Sequence, residues 1–142
     1  MQVLESQSAD ETYEIGKKLG ENAKVKDVIA LYGDLGVGKT VFTKGFAAGL
    51  GIRMPVNSPT FTILQIYDEG RIPLYHFDVY RIEESEEMEE VGFDDCIDGD
   101  GVSVIEWPEK IEDILPQHCT KVTIAKDLSK GLDYRRITIE EQ

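Results

Sequence analysis

The sequence predicts a three-layer α/β fold whose mixed sheet has a parallel core and antiparallel hairpins, and three observations carry that expectation. Val28-Ile-Ala-Leu-Tyr32 is a short apolar run that passes through the glycine-rich stretch Gly33-Asp-Leu-Gly-Val-Gly38 into helically spaced apolar residues. A strand buried on both faces has this unalternating character, and such strands belong to parallel sheets covered by helices. Two further pairs of β-rich runs, each joined by a short polar loop, read as hairpins, which pair antiparallel. The 142 residues form one domain, 1–142, with no internal repeat, low-complexity tract or linker. A chain of this size buries about two thirds of its unfolded surface and needs neither disulfides nor a structural metal to fold.

In chain order, Ser8-Ala-Asp-Glu11 has the Ser-x-x-Glu form of a capping box. Tyr13, Ile15, Leu19 and Ala23 behind it predict an amphipathic helix to about Lys24. The start of that helix is either a plain surface cap or a neighbour of a nucleotide base. Next come the Val28–Tyr32 strand and a helix over Thr40–Leu50, with Phe42, Phe46, Ala47 and Leu50 on one face and Gly51 as its stop.

The loop between them fits Gly-x-x-x-x-Gly-Lys-Thr, a phosphate-binding P-loop, from Gly33 through Asp34, Leu35, Gly36, Val37, Gly38 and Lys39 to Thr40. Glycines without a Cβ let the backbone curl its N–H groups around phosphate oxygens. A helix N-terminus adds unsatisfied N–H groups and the positive end of its dipole. Lys39 is then expected at the β- and γ-phosphates, and the Thr40 hydroxyl on a Mg²⁺ ion. A strand before the loop and a helix after it supply the required context, so a P-loop NTPase-like fold binding ATP or another nucleoside triphosphate follows.

Asn57-Ser-Pro-Thr-Phe-Thr62 is a turn leading into the strand-like Phe61–Tyr67, and Asp68–Arg71 separates this from Ile72–Tyr80. Period-two alternation puts His76, Asp78 and Tyr80 on one face of the second run. Asp78 is either a polar residue on a solvated strand face or a partner of the metal. His76 is read as a strand-face histidine. Glu83–Glu90 predicts a short acidic helix ended by Gly92, either simply solvated or a docking surface for a basic partner. Val102-Ser-Val-Ile-Glu106 ends a β-branched run in a carboxylate, as P-loop proteins do beside Mg²⁺, with Glu106 where Asp is usual. Trp107 belongs either to the core or over the nucleotide or a partner. A short helix from Pro108 to Leu115 and a hairpin of Thr120–Ala125 with Tyr134–Glu140 complete the chain.

Composition excludes several classes. With 28 acidic against 15 basic residues, a net charge of −13 and no basic stripe, the chain is not built to grip nucleic acid by itself. Cys96 and Cys119 have no metal-ligand or disulfide spacing and suit a reducing cytosol. Met1-Gln-Val-Leu-Glu5 lacks a basic region followed by an apolar one, and no apolar run exceeds five residues, so neither export nor a membrane location is expected.

Three nucleotide-binding activities compete. A GTPase needs an Asn-Lys-x-Asp run to read guanine, and none occurs. A small-molecule kinase closes an arginine-bearing lid over the transferred phosphoryl group, and the chain has five arginines and no lid-like insertion. A small ATPase that drives or times a protein complex is the third, with the kinase as alternative.

Gly33–Thr40, Asn57-Ser-Pro-Thr-Phe-Thr62, Tyr75-His-Phe-Asp-Val-Tyr-Arg81, the Glu-rich segment ending at Gly92 and Ile105-Glu-Trp107 together resemble the TsaE family, in order and spacing, over nearly the whole chain. The resemblance implies an ATPase that acts with TsaB and TsaD in forming threonylcarbamoyladenosine next to the anticodon of tRNAs that read codons beginning with A. TsaD performs the transfer, and tRNA is met only through the complex. By that resemblance Lys39 and Thr40 take phosphate and Mg²⁺, Glu106 is a Mg²⁺ ligand, Asp78 and Trp107 are needed for activity, and Thr60 lies in a switch-like loop near the γ-phosphate. Thr12, Lys110 and Arg135 fall where the family contacts the nucleotide. Val37 replaces the commoner Ala at a variable loop position.

Overall fold

A computed structural model describes residues 1–141. Seven strands form one sheet in the order β1-β7-β6-β2-β5-β4-β3, built from β1 (Gln2–Ser6), β2 (Val28–Tyr32), β3 (Leu64–Tyr67), β4 (Leu74–Asp78), β5 (Val102–Glu106), β6 (Thr120–Lys126) and β7 (Arg135–Glu141). β6, β2, β5 and β4 are parallel, and β3, β7 and β1 add antiparallel pairings at the two sides. The predicted mixed sheet is therefore present, with the strand before the glycine-rich loop at its centre.

Side chains of the central strands alternate between two apolar layers. Ile29, Leu31, Val104 and Val122 pack with Phe42, Phe46 and Leu50 beneath helices α1 (Ala9–Asn22) and α2 (Lys39–Gly49). Val28, Ala30, Phe77 and Ile105 pack on the other face with Met88, Phe93 and Ile111. There the cover is α3 (Met88–Val91), α4 (Phe93–Ile97) and a tight 3₁₀ segment over Pro108–Ile114, with the Phe77 and Phe93 rings edge to face at 5.4 Å. Burial on both faces is why the central strands read as unbroken apolar runs.

Ser8 caps α1 by accepting the Glu11 N–H at 3.1 Å, while the Glu11 carboxylate accepts the Gln7 N–H at 3.0 Å. The two helices touch backbone to backbone. A Cβ on Gly16 would lie 2.2 Å from the Phe42 carbonyl oxygen, and one on Gly45 2.0 Å from that of Tyr13. Both C-termini meet Arg71, whose guanidinium donates to the Gly20 carbonyl at 2.7 Å and whose backbone N–H donates to the Leu50 carbonyl at 2.7 Å. The helices consequently run the same way, and the start of α1 lies at the same end of the sheet as the start of α2.

Two local expectations are corrected and a third is refined. Met1–Gln7 carried no predicted element, yet β1 pairs with β7 from Gln2↔Ile139 to Ser6↔Arg135 and extends the terminal hairpin to three strands. The first strand of the central hairpin begins at Leu64 rather than Phe61, because the Ile63 N–H closes a turn onto the Pro59 carbonyl at 2.8 Å and Ile63 takes a left-handed φ of 69°. The acidic helix begins as a 3₁₀ turn, Ser85–Glu87, that runs directly into the single turn of α3, while Gly92 with φ 84° ends it as expected and caps the start of α4. Among the described residues no helix is long and apolar enough to cross a membrane.

Candidate functional site

The parallel strands β2, β5 and β4 end side by side, with Leu31 in register with Glu106 and Glu106 with Asp78. The carboxyl edge of a parallel sheet is where α/β proteins bind ligands. The glycine-rich loop leaves β2 at this edge. Gly38 has a φ of 108° with open space where a Cβ would be, so the backbone conformation rather than crowding requires glycine there. α2 starts immediately afterwards, aiming its first N–H groups into the loop.

Lys39 is buried, 6 % exposed, and folds back so that Nζ donates to the Gly33 carbonyl at 2.6 Å. The same ammonium sits 3.4 Å from the centroid of the Trp107 ring. Burial pulls the Lys39 pKa below its ordinary value, against the opposing influence of Glu106, Glu109, Asp78 and Asp34. A nearby phosphate would act in the same direction as those carboxylates and hold the lysine charged. Trp107 reaches this position because it takes a left-handed φ of 62° directly after β5 and before Pro108, an unfavourable conformation for a bulky residue. Its other neighbour is Tyr80, with ring centroids 5.0 Å apart, and the Lys110 ammonium lies 5.6 Å from the Tyr80 ring. Lys39, Trp107, Tyr80 and Lys110 thus form a row in which two adjacent rings lie between two cations.

Asp78 is 5 % exposed, which rules out a solvated strand face. Its Oδ2 accepts the Ser58 hydroxyl at 2.7 Å and faces that of Thr60 at 3.5 Å, and its Oδ1 accepts the Tyr80 N–H at 3.1 Å. This carboxylate ties the loop over Asn57–Thr62 to the end of β4. Glu106, 3 % exposed, meets His76 instead, with Oε2 2.6 Å from Nε2. His76 lies on a face of β4, as read from the alternation, and is wholly buried there.

Of the residues expected to meet a nucleotide, Arg135 reaches the loop, its Nε–H donating to the Val37 carbonyl at 2.7 Å. Thr12 is buried, and its hydroxyl is paired with that of Ser6 at 2.8 Å. It lies at the correct end of α1, one step removed from the loop through Ser6, which is in register with Arg135. Lys110 is exposed and joins the site through Tyr80. Thr40 is half-buried in the first turn of α2, while Asp34, Leu35 and Gly36 are exposed around the loop tip. A groove of about 550 Å³ flanks that tip, lined by Asp34, Leu35, Glu109, Thr123 and Lys126. Sequence reasoning assigned no part in the site to His76 or Ser6, and included Ser58 only as a member of the switch-like loop over Ser58–Thr62. Alternation already put His76 beside Asp78, whereas the pairing of β4 with β5 that brings it to Glu106 has no local signal.

The family model for "Threonylcarbamoyl adenosine biosynthesis protein TsaE" matches residues 6–137. The chain belongs to the TsaE family. Among TsaE proteins it is 50 % identical over 129 residues to the tRNA threonylcarbamoyladenosine biosynthesis protein TsaE of Bacillus subtilis, covering 91 % of this chain and 78 % of the relative. The protein of the same name from Treponema pallidum is 42 % identical over 119 residues, 84 % of this chain and 87 % of the relative. A crystal structure of Bacillus subtilis YdiB superposes with a TM-score of 0.84 at 42 % identity, covering 97 % of this chain and 83 % of that one. The TsaE match spans the loop, Asp78, Glu106 and Trp107 elements and strands β2 to β6.

Proposed function

We infer that this TsaE protein is a Mg²⁺-dependent ATPase that works with TsaB and TsaD in tRNA threonylcarbamoyladenosine formation, meeting tRNA only through those partners. The observation that carries the inference is the convergence of the glycine-rich loop, buried Lys39, Asp78 and Glu106 at one edge of the parallel sheet. The names of the relatives support the pathway.

In this reading the loop N–H groups and the α2 N-terminus hold phosphate oxygens, and the Lys39 ammonium leaves the Gly33 carbonyl for the β- and γ-phosphates. The Thr40 hydroxyl and the Glu106 carboxylate hold Mg²⁺, with Asp78 close by. Mg²⁺ takes one or two protein carboxylates and completes its shell with phosphate and water, which fits a site where, among the described residues, no three His, Cys, Asp or Glu side chains are grouped for a metal. When bound, Mg²⁺ offsets charge that develops on the phosphate oxygens. Asp78 fixes Ser58 and Thr60, placing their loop where it senses the γ-phosphate, and Trp107 covers Lys39 from solvent. Arg135 braces the loop through Val37, and Thr12 and Lys110 flank the approach of the nucleotide. The acidic Glu83–Glu90 segment, whose glutamates are exposed, suits a basic face of a partner.

Glu106→Gln keeps the side-chain shape and removes the charge, so ATP hydrolysis should fall at least tenfold while the melting temperature stays within a few degrees. Turnover assays with thermal denaturation check this, and unfolding of the variant would make Glu106 structural. Incubating the wild type with labelled ATP and small-molecule kinase acceptors tests the same inference from the other side. Label released as inorganic phosphate supports an ATPase, and label on an acceptor without any partner supports a kinase.

A further inference from the structure

His76 is completely buried, its Nε2 lies 2.6 Å from Glu106 Oε2, and its Nδ1 is buried with no hydrogen-bond partner among the described residues. The contact follows from sheet geometry. His76 is in register with Val104, and Glu106 lies two residues further along β5 on the same face, a diagonal pair within reach of a long side chain. Removing an imidazole and a carboxylate from water is costly, and an apolar pair would fill the same space without that cost. The strand needs no such pair for its packing, since Leu74 and Phe77 beside it are already fully buried.

Which nitrogen carries the proton follows from the two environments. A buried N–H with no acceptor is rarer in proteins than a buried acceptor left bare. For a neutral imidazole, the assignment that leaves no buried N–H bare has Nδ1 unprotonated and Nε2–H donating to Glu106 Oε2. One carboxylate oxygen is then held by β4, and Oε1 is left for whatever approaches from the loop. We propose that His76 is a positioning residue for Glu106, holding Oε2 so that Oε1 is presented to the metal of a bound Mg-nucleotide. This rests on the inference that Glu106 is a Mg²⁺ ligand. It adds a residue that acts through another, as partners behind metal ligands do, where substitution lowers metal affinity roughly 10- to 100-fold.

The test is the binding of a fluorescent ATP analogue, titrated in MgCl₂ and in EDTA, to the wild type, His76→Leu and His76→Gln. A Gln amide can donate to Oε2 in place of Nε2–H, and Leu cannot. The expected result is that Leu raises the Mg²⁺ concentration needed for half-maximal enhancement about tenfold or more, leaves binding in EDTA unchanged, and is largely rescued by Gln. A folded Leu variant with the wild-type Mg²⁺ response, or a Gln variant as impaired as Leu, overturns the proposal. A wild type that binds no better with Mg²⁺ than in EDTA overturns the metal assignment of Glu106 and the proposal with it. Should His76→Leu not fold, isotope-labelled histidine in the wild type decides by NMR. His76 and exposed His118 are the two histidines, so His118→Gln assigns the signals. The Nε2–H tautomer supports the proposal, and Nδ1–H overturns it.

Discussion

Replacing Lys39 with Ala is expected to weaken ATP binding on the order of a hundredfold, equivalent to about 2.7 kcal/mol. Lys39 is the cation at the start of α2 whose stem is already packed inside the protein, so the ammonium is delivered to the loop without the disorder of a surface lysine. A charge-assisted contact to phosphate in a partly desolvated loop has this order of strength. The fold should tolerate the change, because the substitution removes a desolvated charge along with its contacts to Gly33 and Trp107. Titration of a fluorescent ATP analogue, with thermal denaturation alongside, checks both parts. Unchanged affinity would mean that the loop is a structural turn.

The largest effect on stability is expected at the contact of α1 with α2. Gly45→Ala puts a methyl group 2.0 Å from the Tyr13 carbonyl oxygen and 2.8 Å from its carbon, both rigid backbone atoms. The helices must separate, which opens the layer built on Phe42 and Phe46. A loss of about 3 kcal/mol or more follows from overpacking of this severity. In a domain of this size that corresponds to a fall in melting temperature of roughly 10 °C. Gly16→Ala, facing the Phe42 carbonyl at 2.2 Å, should behave alike. Calorimetry of the two variants decides it, and wild-type melting temperatures would show that the helices are not in backbone contact.

What was legible in the sequence follows from how local each signal is. The loop, its strand and its helix are contiguous from Val28 to Gly49, and their chemistry is written in glycine spacing and one Lys-Thr pair. The β3–β4 and β6–β7 hairpins were readable because short loops force neighbouring strands to pair. β1 was not, since its partner β7 is more than a hundred residues away and its five residues are mostly exposed. Asp78 and Glu106 stood out as carboxylates inside apolar runs. His76 and Ser58 did not, because each acquires its role from a residue on another element, Glu106 and Asp78 respectively. The paired glycines Gly16, Gly20, Gly45 and Gly49 had a regular spacing in the sequence, but only the parallel packing of α1 on α2 gives it a cause.

The described site offers Lys39, while the Arg135 guanidinium beside the loop is occupied by the carbonyls of Val37, Leu132 and Tyr134. An arginine finger supplied by another chain raises phosphoryl-transfer rates by roughly 10³ to 10⁵. The decisive measurement is therefore the steady-state rate of ATP hydrolysis by this protein alone and after addition of TsaB and TsaD. Slow turnover alone and stimulation of at least tenfold by the two partners is the predicted result. Rapid hydrolysis by the isolated chain, indifferent to both partners, would contradict it.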